Sequence, residues 1–251
     1  MALGNAAIAL RVGNGYAFGR DYQRAAEWWK RAAMQAEPES EEFIQAIQLH
    51  ATALLEKDKW QETASVSEML AAIYAGNEYQ WANQLPLMRQ RLQADMARAL
   101  ANLGNNRAAS IATLTRCHRI FASDGSLADF FFPALRKVGL IKEHDAWFYD
   151  SWNNMLEVIA LYPECDNSHN TAAWFAARAM RKLDAAELHS RKALAMSPNQ
   201  SAYLDTMAEI QFARGKREEA LRWSHMAVNF MPEDILLRRQ HERFRSEPFP
   251  R

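Results

Sequence analysis

Glycine and proline are scarce in this 251-residue chain, at 9 and 8 residues. An all-β or loop-rich fold needs more of both for its turns, so that class is set aside. Cysteine occurs twice, at Cys117 and Cys165, too few for a disulfide framework. Both are expected as free thiols in the interior or half-buried. An excess of either charge is missing too, since 30 basic and 30 acidic side chains cancel. Nucleic-acid binders carry a basic excess and membrane-surface binders a basic amphipathic helix, so no nucleic acid is expected as a partner. No apolar run reaches the roughly 18 residues of a spanning helix, so no membrane insertion is expected either.

The N-terminal stretch MALGNAAIALRVGNGYAFGRDYQ has no basic leader and no sustained apolar segment, unlike a secretory signal. It reads as the middle of a repeat helix with no Ser, Thr or Asp cap ahead of it, and we expect a fragment of a longer chain. The compartment is left open, with the cytoplasm as the default and an extracytoplasmic site if a leader has been removed. What is abundant is 49% hydrophobic content, ample for a core, and long stretches rich in Ala, Leu, Arg, Glu and Gln. Those are good helix formers, and the composition points to an all-α protein.

The C-terminal third contains two segments that align without gaps, NSHNTAAWFAARAMRKLDAAELHSRKALAMSP and SAYLDTMAEIQFARGKREEALRWSHMAVNFMP. Pro198 and Pro232 stand 34 residues apart, as do Ala186 and Ala220, Ala193 and Ala227, and Leu194 and Val228. Each segment reads as a helix, a tight turn (Arg181 to Asp184, then Arg214 to Arg217), a second helix and a proline stop. Proline cannot continue a helix and biases its predecessor away from the helical region. The small residues mark the places where two helices cross most closely. The N-terminus repeats the pattern, with Gly13 at the small position, Tyr22 opening a second helix, and Ala25, Trp29 and Ala32 completing it.

On these residues the chain resembles the tetratricopeptide repeat family, of a bacterial type. The matches are Ala208 in a first helix, Gly215 in the turn, Ala220 and Ala227 in the second helix, and Pro232. The penultimate unit departs by carrying Trp174 at the small position of its first helix, where a bulky ring is expected to widen the crossing. The resemblance implies a right-handed α-α superhelical solenoid of about six helical hairpins plus a C-terminal capping helix. Clear repeats are expected at 6–37, 167–199 and 201–232, degenerate hairpins at 41–75, 85–122 and 126–162, and a cap at 234–245. All lie in one continuous unit, 1–251. Asp234 is the expected N-cap of the last helix, and Pro133 is expected to break or restart the helix in which it falls.

The resemblance further implies a scaffold that binds a peptide or protein partner in a concave groove lined by the first helix of each pair. Carried over by position, the groove residues are Arg11, Asn14, Phe18, Thr171, Phe175, Arg178, Asp205, Glu209 and Phe212. Some family members clamp a partner's terminal carboxylate with paired Lys and Asn residues. Arg11 and Asn14 occupy two suitable positions here, but no matching Lys follows, so another kind of partner segment is expected. The alternative is a self-assembling module that forms homo-oligomers through solenoid faces. Phe130, Phe131 and Phe132 precede Pro133 and cannot all face one helix interior, which makes them a candidate contact surface.

Signs of catalysis are sparse. There is no phosphate-binding glycine loop, dinucleotide fingerprint, HExxH pattern or nucleophile elbow. The loop Cys165-Asp166-Asn167-Ser168-His169 offers two metal-ligand types four residues apart, with Cys117, His118 or His144 as further donors if the fold brings them near. The preferred reading is a helix-capping loop, because Asp, Asn and Ser are good N-caps. Likewise His144-Asp145 admits a catalytic pair but reads better as a helix start with acids near the positive dipole end. With 8 Trp, 7 Tyr and 12 Phe the chain is rich in aromatics, and helical spacing assigns most of them to the core. No enzyme activity, cofactor or metal is expected.

Overall fold

The computed structural model describes residues 5–37, 40–76 and 84–249. Among these residues thirteen α-helices follow one another and no strand occurs. The chain divides into two compact units, Met1–Ile120 and Phe121–Arg251.

The first unit holds α1 (Ala6–Phe18), α2 (Tyr22–Gln35), α3 (Glu41–Glu56), α4 (Trp60–Gly76), α5 (Gln84–Ala101) and α6 (Arg107–Phe121), whose last residue begins the second unit. Asn5 caps α1, its side-chain oxygen accepting from the backbone N–H of Ala7 at 2.9 Å and Ile8 at 3.3 Å. A cap therefore stands where none had been read, because Asn serves as well as Asp or Ser. The α1/α2 hairpin closes on Gly13. A Cβ there would lie 2.7 Å from Trp29 Cδ1, so the indole occupies the space that any larger residue would need. Asn14 then accepts the Trp29 indole N–H at 2.9 Å, and Trp29 is fully buried.

The second unit opens with a 3-10 turn at Gly125–Ala128. It continues with α7 (Phe131–Lys137), α8 (Ile141–Leu161), α9 (Asp166–Ala179), α10 (Leu183–Met196), α11 (Ser201–Ala213), α12 (Arg217–Phe230) and α13 (Ile235–Ser246). Pro133 sits in the first turn of α7, where its missing N–H costs nothing, so it marks a restart. Phe131 and Phe132 are buried, which corrects their reading as a contact surface, and Phe130 is half-buried at the position preceding α7. The Phe132 ring meets Phe175 edge-on at 4.8 Å, Phe148 at 6.3 Å and His144 at 5.3 Å, while Phe131 stacks on Trp147 at 5.5 Å. The helix restart turns two neighbouring rings into one aromatic core, and pairs of this geometry add about 0.5–1.5 kcal/mol each beyond area burial.

Tight turns join α9 to α10 and α11 to α12. Gly215 takes the left-handed backbone at φ 77°, while the earlier turn, without glycine, places Met180 and Lys182 there at 55° and 54°. Ala186, Ala193, Ala220 and Ala227 are fully buried, as close helix crossings require. Trp174 is half-buried on α9. Its indole N–H donates to Asp129 Oδ1 at 2.8 Å, and Ala172, Ala173 and Ala176 supply the fully buried small residues of α9.

Two substitutions test these close approaches. Gly13→Ala and Ala220→Leu are each expected to lower stability by about 1–3 kcal/mol through overpacking. Gly15, with nothing within 4 Å of an added Cβ, is the internal control. Gly15→Ala is expected to raise stability by about 0.5–1 kcal/mol. Chemical denaturation midpoints of the three variants check both signs.

Candidate functional site

Three helices of the second unit run parallel and side by side. The start of α9 meets the start of α11 through Asp166 and Tyr203, and their later turns meet through Arg178 and Glu209. In the same way α11 meets α13 through Leu204 with Leu237 and, further along, Phe212 with Phe244 at 5.1 Å. Two of these helices, α9 and α11, carry the groove residues that the resemblance led us to expect, and α13 is the expected cap.

At its centre Glu209 is 3% exposed on α11. It accepts from Arg178 Nη1 at 3.3 Å, from Gln240 Nε2 at 3.3 Å and from Arg243 Nη2. Burial pushes its carboxyl up, but Arg243 and Arg178 outweigh that and hold it below the usual range. Arg178 spends its remaining nitrogens on the carbonyls of Ala128 at 3.4 Å and Asp129 at 3.3 Å. Arg243 Nε donates to Gln240 Oε1 at 2.9 Å, and its guanidinium lies over the rings of Phe212 and Phe244.

Asp205, one turn earlier on α11, is different. It is 8% exposed, and its Oδ1 is buried with no hydrogen-bond partner. Burial first, then Glu209 beside it and Asp234 at the cap of α13, push its carboxyl up to about 7 against the pull of Arg243 and Arg178.

The other groove candidates are dispersed. Phe175 is fully buried in the aromatic core, stacked on Phe148 at 5.6 Å, and so presents nothing to a groove. Phe212 is buried beneath Phe244 and Phe249. Thr171 is half-buried under the 3-10 turn, its Cγ2 filling the space beside Gly125. In the first unit Arg11 and Phe18 are exposed, and Asn14 is engaged by Trp29. Gln240 and Arg243 were missed because α13 had been read as a cap alone. The signal was present, since Arg243 stands 34 residues after Glu209, the repeat spacing.

The Cys/His loop is structural. Cys165 precedes α9, and its Sγ accepts from Ser168 Oγ at 3.1 Å, a bond that lowers the thiol below its usual value. His169 is buried, with Nε2–H donating to the Pro163 carbonyl at 2.9 Å and Nδ1 accepting from His189 Nδ1 at 2.8 Å. Neither ring nitrogen is left for a metal, and among the described residues no group of three or more His, Cys, Asp or Glu is placed to hold one. Burial, then His169, lower the His189 imidazole to about 4. Cys117 is buried, which pushes its thiol up to about 11. His144 donates from Nδ1 to Asp145 Oδ1 at 2.8 Å, and Asp145 also accepts from Arg181 at 2.7 Å. His144 Nε2 is sealed inside without a partner, out of reach of any substrate proton.

With this geometry in hand, comparison with known proteins adds a fold likeness. No family model matches the sequence, and no curated protein matches it. Solved structures similar to the chain are tetratricopeptide-repeat proteins. A thermophilic TPR protein of Thermus thermophilus is 16% identical at a TM-score of 0.40, covering 95% of this chain and 98% of that one. The TPR2AB domain of yeast Sti1, solved in complex with pHSP90, is 15% identical at 0.36, covering 96% and 98%. The TPR domain of P58(IPK) is 13% identical at 0.35, covering 96% and 78%. The likeness is one of fold, helical hairpins in series. The repeat character of this chain rests on its own 34-residue spacing and buried alanines.

Asp205 yields a test by pH. Its folded value lies above the unfolded 3.8, so it costs nothing in acid and costs stability as pH rises toward 7. Asp205→Asn is expected to match the parent near pH 4 and to exceed it by on the order of 3 kcal/mol at pH 8. Thermal unfolding of both proteins across that range checks the sign and the window.

Proposed function

We propose that the chain is a non-catalytic, protein-binding scaffold, and that a partner segment docks on the α9–α11–α13 face of the second unit. The observation that carries this reading is the parallel array itself. It gathers half-buried Arg178, Gln240 and Arg243 around the buried carboxylates of Asp205 and Glu209, with half-buried Trp174 and exposed Leu236 on the neighbouring helices. Parallel helices at repeat spacing offer equivalent positions at regular intervals, which suits an extended peptide.

A photo-crosslinking amino acid at Leu236, on this face, is expected to capture a partner that the same residue at Leu188, on α10, does not. Equal capture from both positions would place the docking surface elsewhere.

A second reading, self-association, is favoured by one specific feature. Tyr162, Met196 and Phe230 stand 34 residues apart and are all exposed; Tyr162 directly follows α8, while Met196 and Phe230 end α10 and α12. Repeated apolar exposure along one edge marks contact surfaces. If this edge self-associates, sedimentation velocity at micromolar concentration shows a dimer or larger species, and Phe230→Ser lowers its affinity about tenfold or more. A monomer at every concentration tested removes this reading.

A further inference from the structure

Resting on the docking face just proposed, we start from the Asp205 carboxyl, whose Oδ1 has no hydrogen-bond donor. Arg178 has committed all three guanidinium nitrogens, to Glu209 and to the carbonyls of Ala128 and Asp129. Arg243 is committed to Glu209 and Gln240, and Gln240 in turn to Glu209 and Arg243. A partner carboxylate or phosphate arriving here would compete with Glu209 for both guanidiniums and meet the repulsion of Asp205. What is missing a partner is an acceptor, the Asp205 carboxylate oxygen. A buried acceptor without a donor costs free energy that a ligand donor recovers.

The parallel register defines the surroundings. Arg178 and Gln240 flank Glu209 on either side. One helical turn earlier on each helix come Trp174 on α9, Asp205 on α11 and Leu236 on α13. The Trp174 indole is held in place by Asp129, and Leu236 is 53% exposed at the rim. Trp174 and Leu236 thus stand in register with Asp205 on the helices to either side, apolar neighbours suited to a long aliphatic stem that ends in a cation.

We propose that Asp205 is the anchor point for a lysine or arginine side chain of the partner segment, which supplies the hydrogen-bond donor this carboxyl lacks. The charges that face Asp205 are Glu209 on its own helix, Arg178 on α9, and Asp234 and Arg243 from the α13 side. With Asp205 ionised these five groups sum to one net negative charge, and the incoming cation cancels it. Because the carboxyl is half-protonated near 7, binding expels a proton and strengthens as pH rises.

The test selects a displayed library of random peptides, about twelve residues long, against the full chain and against Asp205→Asn. Peptides recovered on the parent are expected to share a Lys or Arg at one position. They should bind Asp205→Asn about tenfold weaker, the loss of one charge-assisted hydrogen bond. Between pH 8 and pH 6 their affinity should fall by about tenfold, following the ionised fraction. Replacing the shared Lys by norleucine, measured on the unaltered protein, should give the same loss and does not depend on the variant's folding. Recovered peptides that lack a shared cation, or that bind both proteins equally, overturn the anchor while leaving the docking face intact. Failure to recover any peptide overturns both.

Discussion

Glu209 is buried on α11 with a guanidinium on each side, and a carboxylate in that setting must be compensated or it takes up a proton. Compensation comes from α9 through Arg178 and from α13 through Arg243 and Gln240. Because a buried charge tolerates little slippage, these bonds fix how far α9 and α13 slide along α11. Asp205 lies four residues before Glu209, on the same side of the helix. Two carboxylates that close in a dry site cannot both be fully paired by the two cations available. Glu209 takes both, and Asp205 is left with an open acceptor and a raised proton affinity. The feature that makes the face a candidate for binding therefore follows from the interaction that holds it together.

The aromatic core matters to this face by a second route. Phe131 and Phe132 anchor the start of α7 against Trp147, Phe148 and Phe175. That anchoring also places the residues just before α7, where the carbonyls of Ala128 and Asp129 take two of the three Arg178 bonds. Asp129 also receives the Trp174 indole. The irregular stretch around Pro133 thus acts as a bracket for α9. Its triple phenylalanine contributes packing, and its polar ends contribute acceptors.

How much of this was legible in the sequence depends on whether the information was local. The 34-residue spacing of Pro198 and Pro232 and of the paired alanines reports hairpin geometry directly, so the helical-repeat class could be read from it. Asp234 as a cap was local too, since its side chain accepts from the next turn's backbone. The consecutive phenylalanines misled because helical spacing assumes an uninterrupted helix, whereas α7 starts at Phe131 and turns the pair inward. Phe175 and Phe212 misled for a different reason. Register says which side of a hairpin a residue lies on, but not what another element lays over it. The pairing of His169 with His189 lay outside any motif, because it joins two helices 20 residues apart through ring nitrogens alone.

The repeat register also separates geometry from chemistry along the array. Positions 171, 205 and 239 are equivalent by spacing and carry Thr, Asp and Arg, while 175, 209 and 243 carry Phe, Glu and Arg. In the first series Thr171 packs under a turn and Asp205 Oδ1 has no donor. In the second, Phe175 belongs to the core, and Glu209 and Arg243 pair with each other. A solenoid stacks any residues that keep the small positions small, so its face is free to vary. What such a face could bind must therefore be argued from positions such as Asp205, where hydrogen bonding is incomplete. The shared fold cannot supply the answer, because it prescribes where side chains project and leaves their chemistry open.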